Sequence, residues 1–214
     1  MSQQTRLRED ICRIAKSLFD RGLTCGSSGN ISARLDDGTL LVTPTGSSMG
    51  FLDPARISHL DATGRLLSGD APTKEIPLHA AFYETRATTG AVVHLHSTHS
   101  VAWSMMPEVE ANDVLPLLTP YAVMKLGKVQ LLPFFLPGDP QMGEAVRGLA
   151  GKRSAVLLAN HGPVVAGKDI WAATYAIEEL EETAKLALLT RGVPINMLSK
   201  TDRAALYAKF GAPD

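Results

Sequence analysis

Ala91-Val92-Val93-His94-Leu95-His96-Ser97-Thr98-His99-Ser100 runs from a short β-branched apolar strand straight into two histidines one residue apart. Side chains alternate along a strand, so His94 and His96 project to the same side. Two imidazoles on one face make a poor core, because each buried ring carries a nitrogen that needs a partner. A divalent cation partners both at once, and imidazole suits zinc. The plainer reading is a pair of packed, hydrogen-bonded rings. A second stretch shifts the balance toward metal. Ala155-Val156-Leu157-Leu158-Ala159-Asn160-His161-Gly162-Pro163 is again an apolar strand that ends in a histidine, now at a Gly-Pro turn. Two strand ends that each deliver imidazole could complete a three-histidine site with an open fourth position.

Around these strands, helical and strand patterns alternate. Over residues 6–22, Ile11, Ile14, Ala15, Leu18 and Phe19 share one helical face, and Gly22 is the stop. Leu23 to Ser32 is rich in Gly and Ser, and such a loop can aim N–H groups and hydroxyls at an anion. Residues 31–35 and 39–43 read as a hairpin turned at Asp36-Asp37-Gly38. A second hydroxyl-rich loop follows, Thr43-Pro44-Thr45-Gly46-Ser47-Ser48. Local pattern alone favours two unrelated turns over one shared anion site. Asp53 reads as a cap with Pro54 at the first helical position. Residues 57–61 and 65–67 form another hairpin, in which His59 is structural or exposed.

Thr73 is the candidate N-cap of the next helix, and Pro77 fits it only in the first turn. Glu75 is either a charge favourable to the helix dipole or a general acid/base beside a metal. His79, one turn on, orients Glu75 or simply packs, and packing is the favoured reading. Residues 98–106 read as a helix whose Val101, Ala102, Trp103 and Met105 are core. His99 at its start is a weaker ligand candidate. Short helical pieces are expected over 121–127 and from Asp139-Pro140 to Leu149, with a strand over 130–135 interrupted by Pro133. Asp169 caps a long helix through Leu189, in which Glu178, Glu179, Glu181 and Glu182 read as a solvated face. A last helix covers 198–210.

The composition bounds the possibilities. The chain of 214 residues is 45% hydrophobic and 20% charged, ordinary for one globular domain, taken as 1–214. A net charge of −1 gives no field for nucleic acid or an anionic membrane. No apolar run could span a bilayer, and the first residues lack a signal-peptide core. The two cysteines, Cys12 and Cys25, are not expected to pair, which fits a cytoplasmic setting.

Taken in order, Gly26-Ser27-Ser28-Gly29-Asn30, Thr45-Gly46-Ser47, Pro72-Thr73-Lys74-Glu75, His94-Leu95-His96, Tyr121 and Asn160-His161-Gly162 resemble the zinc-dependent class II aldolase and adducin-like family. That family includes L-fuculose-phosphate aldolase and L-ribulose-5-phosphate 4-epimerase. The resemblance implies a three-layer α/β/α fold around a mostly antiparallel sheet, and a homotetramer with active sites between subunits. It implies that His94, His96 and His161 bind zinc and that Glu75 is the acid/base and approaches the metal when substrate is absent; imidazole sites accept several ions, so manganese or cobalt could take the place of zinc. Ser28, Gly29, Asn30, Thr45, Gly46 and Ser47 would hold a substrate phosphate, and Tyr121 would be a further proton donor. The tail, including Tyr207, is a weaker candidate to reach a neighbour's site. One departure is informative. Aldolases of this family have Ser-Ser-Glu where this chain has Thr73-Lys74-Glu75. Thr73 keeps a hydroxyl for the substrate, whereas Lys74 adds a cation. With Pro-Leu-His after it, this variant resembles the branch that decarboxylates 3-oxo-tetronate 4-phosphates.

Aldol cleavage beside a ketone and loss of CO2 from a 3-oxo acid leave the same kind of enediolate, which a metal ion would stabilise. The expectation is therefore a carboxy-lyase releasing dihydroxyacetone phosphate and CO2, with a sugar-phosphate aldolase or 4-epimerase as the alternative. A non-catalytic module like the adducin head has no use for three imidazoles and a carboxylate. A zinc hydrolase is disfavoured by the lack of a helical His-Glu-x-x-His.

Overall fold

The computed structural model describes residues 1–212. Helix α1 (Gln3–Asp20) starts where the Ser2 hydroxyl accepts from the Thr5 N–H, and it buries Ile11, Ile14, Ala15 and Leu18. The hairpin β1 (Asn30–Arg34) and β2 (Leu40–Val42) follows the first Gly/Ser loop. A 3-10 turn then opens at Asp53, whose carboxylate accepts from the Ala55 N–H with Pro54 next, as expected. The second hairpin is β3 (Ser58–Leu60) and β4 (Leu66–Ser68). His59 bonds Gln4 and Thr39 there, so it is structural. The remaining elements are α2 (Ile76–Thr85), β5 (Ala91–His94), α3 (Thr98–Ser104), α4 (Pro120–Leu126), β6 (Gln130–Leu132), α5 (Gln141–Gly148), β7 (Ala155–Leu158), β8 (Gly162–Gly167), α6 (Ile170–Leu189) and α7 (Lys200–Phe210).

The strands form one sheet in the order β4-β3-β2-β1-β5-β8-β7-β6. Every pairing is antiparallel except β6 with β7, so the mostly antiparallel sheet holds. The central strands are buried on both faces and separate two cores. On one face Ile31, Ala33, Val93, Leu157 and Val165 pack with Ile11 and Leu18 of α1 and Ile177 and Leu180 of α6. On the other, Val92, Val156, Val164 and Ala166 pack with Leu78 and Phe82 of α2 and Met142 and Val146 of α5. Helices on both faces complete three layers. Burying a side chain such as Phe82 contributes about 1.5–3 kcal/mol.

Three local readings are corrected. Thr73 is not the cap of α2, because the helix begins at Ile76 with Glu75 in the cap position. The Thr73 hydroxyl instead accepts from the Glu75 N–H at 3.3 Å, and Pro77 falls in the first turn. Met105 is 51% exposed, because α3 ends there and the side chain turns outward. Val101 and Ala102 are half-buried, while Trp103 is core, its indole N–H donating to the Val114 carbonyl at 2.7 Å. The acidic stripe of α6 is not uniformly solvated. Glu181 is buried and accepts from the His99 and Ser100 N–H groups, His99 Nδ1 and Ser100 Oγ, at 2.6–2.9 Å. It thereby holds the start of α3, directly after His96.

Candidate metal centre and substrate cleft

Register builds the site. Asn30 pairs with His94 across β1 and β5, and His94 pairs with Val164 across β5 and β8. Paired residues share a face, so Asn30, Ser32 and His94 all look toward α2. His96 lies two residues beyond the end of β5. His161 sits in the turn from β7 to β8, where Asn160 takes a φ of +58°. Gly162 follows at a φ of +148°, and a Cβ there would stand 2.1 Å from the Leu95 carbonyl oxygen. Only glycine permits that approach, and it brings His161 against His96.

The three rings converge, with centroids 4.6–4.9 Å apart. His96 Nε2 is 3.1 Å from Nε2 of both His94 and His161. His94 Nδ1 donates to the Pro163 carbonyl at 2.9 Å, which fixes the ring with its Nε2 facing the centre. One shared ring proton cannot satisfy three converging nitrogens. A cation can, since tetrahedral ligation at about 2.1 Å separates nitrogens by about 3.4 Å. The donor set therefore fits a metal ion. Burial, with His94 beside them, lowers His96 and His161 to about 4, so both rings are neutral at neutral pH, the form that can bind a cation.

Glu75 leans over this triad. Its Oε2 is 3.5 Å from His94 Nε2 and its Oε1 is 3.5 Å from His161 Nε2. Asn30 Nδ2 donates to Oε2 at 2.7 Å. Burial would push the carboxyl up, but His94, the Asn30 hydrogen bond, His161 and His79 outweigh it and hold Glu75 below the usual carboxylate range. His79 does more than pack. It is fully buried and bonds Asn30 Oδ1 at 2.5 Å and Ser32 Oγ at 2.7 Å, so it reaches Glu75 through Asn30. The signal was a β-strand Asn30-x-Ser32 facing a helix with Glu75, His79 and Tyr83 at intervals of four.

The two hydroxyl-rich loops meet, as the resemblance implies and against the local-pattern reading of unrelated turns. Thr45 N–H bonds the Ala71 carbonyl and Thr73 N–H bonds the Thr43 carbonyl, which lays the second loop beside residues 71–74. Ser28, Gly29, Asn30, Thr45, Gly46, Thr73, Lys74, Glu75, His96 and His161 all line one cleft of about 250 Å3. Ser47 donates to the Pro44 carbonyl at 2.6 Å and lines the adjoining depression. Tyr121, on α4, is 60% exposed and does not line this cleft within the single chain. Tyr207 is on α7, half-buried. Cys12 and Cys25 are both free.

A mixed sheet between helical layers, with an imidazole triad and a carboxylate at the ends of its central strands, is the architecture of an aldolase-type α/β/α protein. The chain belongs to the Class II Aldolase and Adducin N-terminal domain family, whose model matches residues 9–188. It is 48% identical over 200 residues to the 3-oxo-tetronate 4-phosphate decarboxylase of Escherichia coli O6:H1, which covers 94% of both chains. It is 36% identical over 178 residues to the L-fuculose phosphate aldolase of Methanococcus maripaludis strain S2, covering 83% of this chain and 93% of that one. The crystal structure of YgbL from Escherichia coli superposes with a TM-score of 0.94 at 45% identity, over 96% of this chain and 99% of the other. Among the described residues no helix is long and apolar enough to cross a membrane.

Proposed function

We propose that the protein decarboxylates a 3-oxo-tetronate 4-phosphate to dihydroxyacetone phosphate and CO2. The observation that carries this reading is the convergence of His94, His96 and His161 beneath Glu75 at the floor of a hydroxyl-lined cleft. The decarboxylase name of relatives 45–48% identical supplies the substrate class. A divalent ion, zinc in this reading, would be held by the three imidazoles and would supply the electron sink that the reaction needs.

The chain's own groups account for the rest. Ser28, Gly29, Asn30, Thr45, Gly46 and Thr73 offer hydroxyls and backbone to the phosphate, with the Asn30 side-chain amide engaged by Glu75 and His79 and with Ser47 supporting the second loop. Lys74 is exposed on the cleft wall and pairs with the phosphate or the carboxylate, the two anionic ends of this substrate. When the bond between C1 and C2 breaks, CO2 leaves and its electron pair stays on the substrate. One proton must then reach C2. Glu75 rests as a carboxylate, is protonated from solvent in the open cleft and delivers that proton to C2, so one solvent proton is consumed for each CO2 released. Tyr121 is exposed on α4, and in a homotetramer with sites between subunits it would face a neighbour's cleft.

The test is incubation of the metal-loaded protein with 3-oxo-tetronate 4-phosphates of both configurations. CO2 and dihydroxyacetone phosphate are expected in equal amounts. Release of glycolaldehyde or lactaldehyde from a sugar phosphate, without CO2, would replace this reading with an aldolase.

A further inference from the structure

Five polar side chains form an unbroken line inside the protein. Tyr83 Oη is 2.9 Å from Ser32 Oγ, Ser32 Oγ is 2.7 Å from His79 Nδ1, His79 Nε2 is 2.5 Å from Asn30 Oδ1, and Asn30 Nδ2 is 2.7 Å from Glu75 Oε2. All five residues are at most 8% exposed. The line arises from two matched periodicities. Asn30 and Ser32 share one face of β1, while Glu75, His79 and Tyr83 recur every four residues at the cap and along one stripe of α2.

The direction of each bond follows from the carboxylate end. A carboxylate only accepts, so the Asn30 amide nitrogen must face Glu75. Its carbonyl oxygen then faces His79 and can only accept, so His79 Nε2 carries the proton. A fully buried imidazole with no carboxylate bonded to its ring is neutral, so Nδ1 accepts from the Ser32 hydroxyl. Ser32 in turn accepts from the Tyr83 hydroxyl. Every donor points toward Glu75. Well-packed apolar residues at 32, 79 and 83 would avoid the cost of burying these polar groups. Neither Ser32, His79 nor Tyr83 lines the cleft.

We propose that His79 is a positioning residue for the reaction, held by Ser32 and Tyr83 in the Nε2–H tautomer so that the Asn30 amide is fixed with its N–H on Glu75. The relay sets where the Glu75 carboxylate stands over the metal site. It acts on the chemical step and leaves the substrate loops alone. This inference rests on the proposed decarboxylation for its kinetic part only.

The experiment combines imidazole 15N NMR of the metal-loaded protein with kinetics of H79L, H79Q and S32A. The His79 spectrum is expected to show a pyrrole-like Nε2 and a pyridine-like Nδ1. In H79L, kcat should fall about 10- to 100-fold, with KM within about threefold and metal stoichiometry unchanged. H79Q, whose amide can still donate to Asn30, should recover part of that loss, and S32A should lose several-fold in kcat. If H79L does not fold, S32A and the tautomer carry the test. A proton on Nδ1, or kcat within about twofold of the parent in the folded variants, overturns the proposal. A parent that binds metal but releases no CO2 defeats the decarboxylase reading instead, and the 15N spectrum then decides the relay by itself.

Discussion

Asn30 Nδ2 donates to Glu75 Oε2 at 2.7 Å, and this bond ties the Glu75 carboxylate to β1, the strand paired with His94. The carboxylate is thereby held 3.5 Å from two of the three converging imidazole nitrogens. Replacing Glu75 with Gln keeps the shape and removes the proposed proton donor. The expected result is a loss of about a hundredfold or more in kcat, with metal content retained on the three imidazoles. Metal analysis alongside turnover checks both halves.

Metal removal is the second expectation. Chelator treatment should abolish turnover, and zinc, manganese or cobalt should restore it to different extents. His96→Ala should leave less than stoichiometric metal, because His96 Nε2 is the nitrogen within 3.1 Å of both others. Elemental analysis after dialysis is the measurement.

Lys74 is the cation that distinguishes this cleft from the Ser-Ser-Glu pattern. Lys74→Ala should raise KM about tenfold, the loss expected for one charge-assisted contact, and weaken the salt dependence of kcat/KM. Unchanged kcat and KM would remove Lys74 from the site.

Glu181 should matter for stability more than for chemistry. It is buried and accepts four hydrogen bonds at the start of α3. Glu181→Ala strands these donors and should cost about 3 kcal/mol in denaturant unfolding. Metal affinity should drop with it, since His96 lies just upstream.

Acid should destabilise the metal-free protein earlier than carboxylate titration alone would. Burial lowers His79 to about 3 and His96 and His161 to about 4, from 6.5. In the unfolded chain these rings take protons near 6.5, whereas the folded chain keeps them neutral. The unfolded state therefore binds more protons below that value, and stability falls as pH drops from about 6.5 toward about 4. Melting temperature against pH for the metal-stripped protein checks this, and H79Q should show a shallower fall over the same window.

Much of this was legible in the chain. An apolar run ending in His94-x-His96, and another ending in His161, declared two strand ends and their imidazoles, because strand periodicity and donor chemistry are local properties. Asp53, Asp169 and Gly22 marked element boundaries for the same reason. Thr73 misled because Ser/Thr capping is a propensity that the neighbouring turn overrode, so that Glu75 took the cap position. Glu181 looked solvated because its burial depends on α3 docking against α6, a contact across 81 residues of chain.

The amino-acid order alone determined which side chains could bind a cation and which loops could bind an anion, since both follow from residue type and short-range spacing. It also carried the family resemblance, through motifs spread over the chain in one order. Only the tertiary structure decided how the two hydroxyl-rich loops are laid side by side in one cleft, which local pattern did not show, that Tyr121 does not line it within one chain, and that His79 reaches Glu75 through Asn30. Those outcomes depend on strand register and on which helix covers which sheet face. Register and layering are set by the summed burial of both cores, and no local stretch contains that sum.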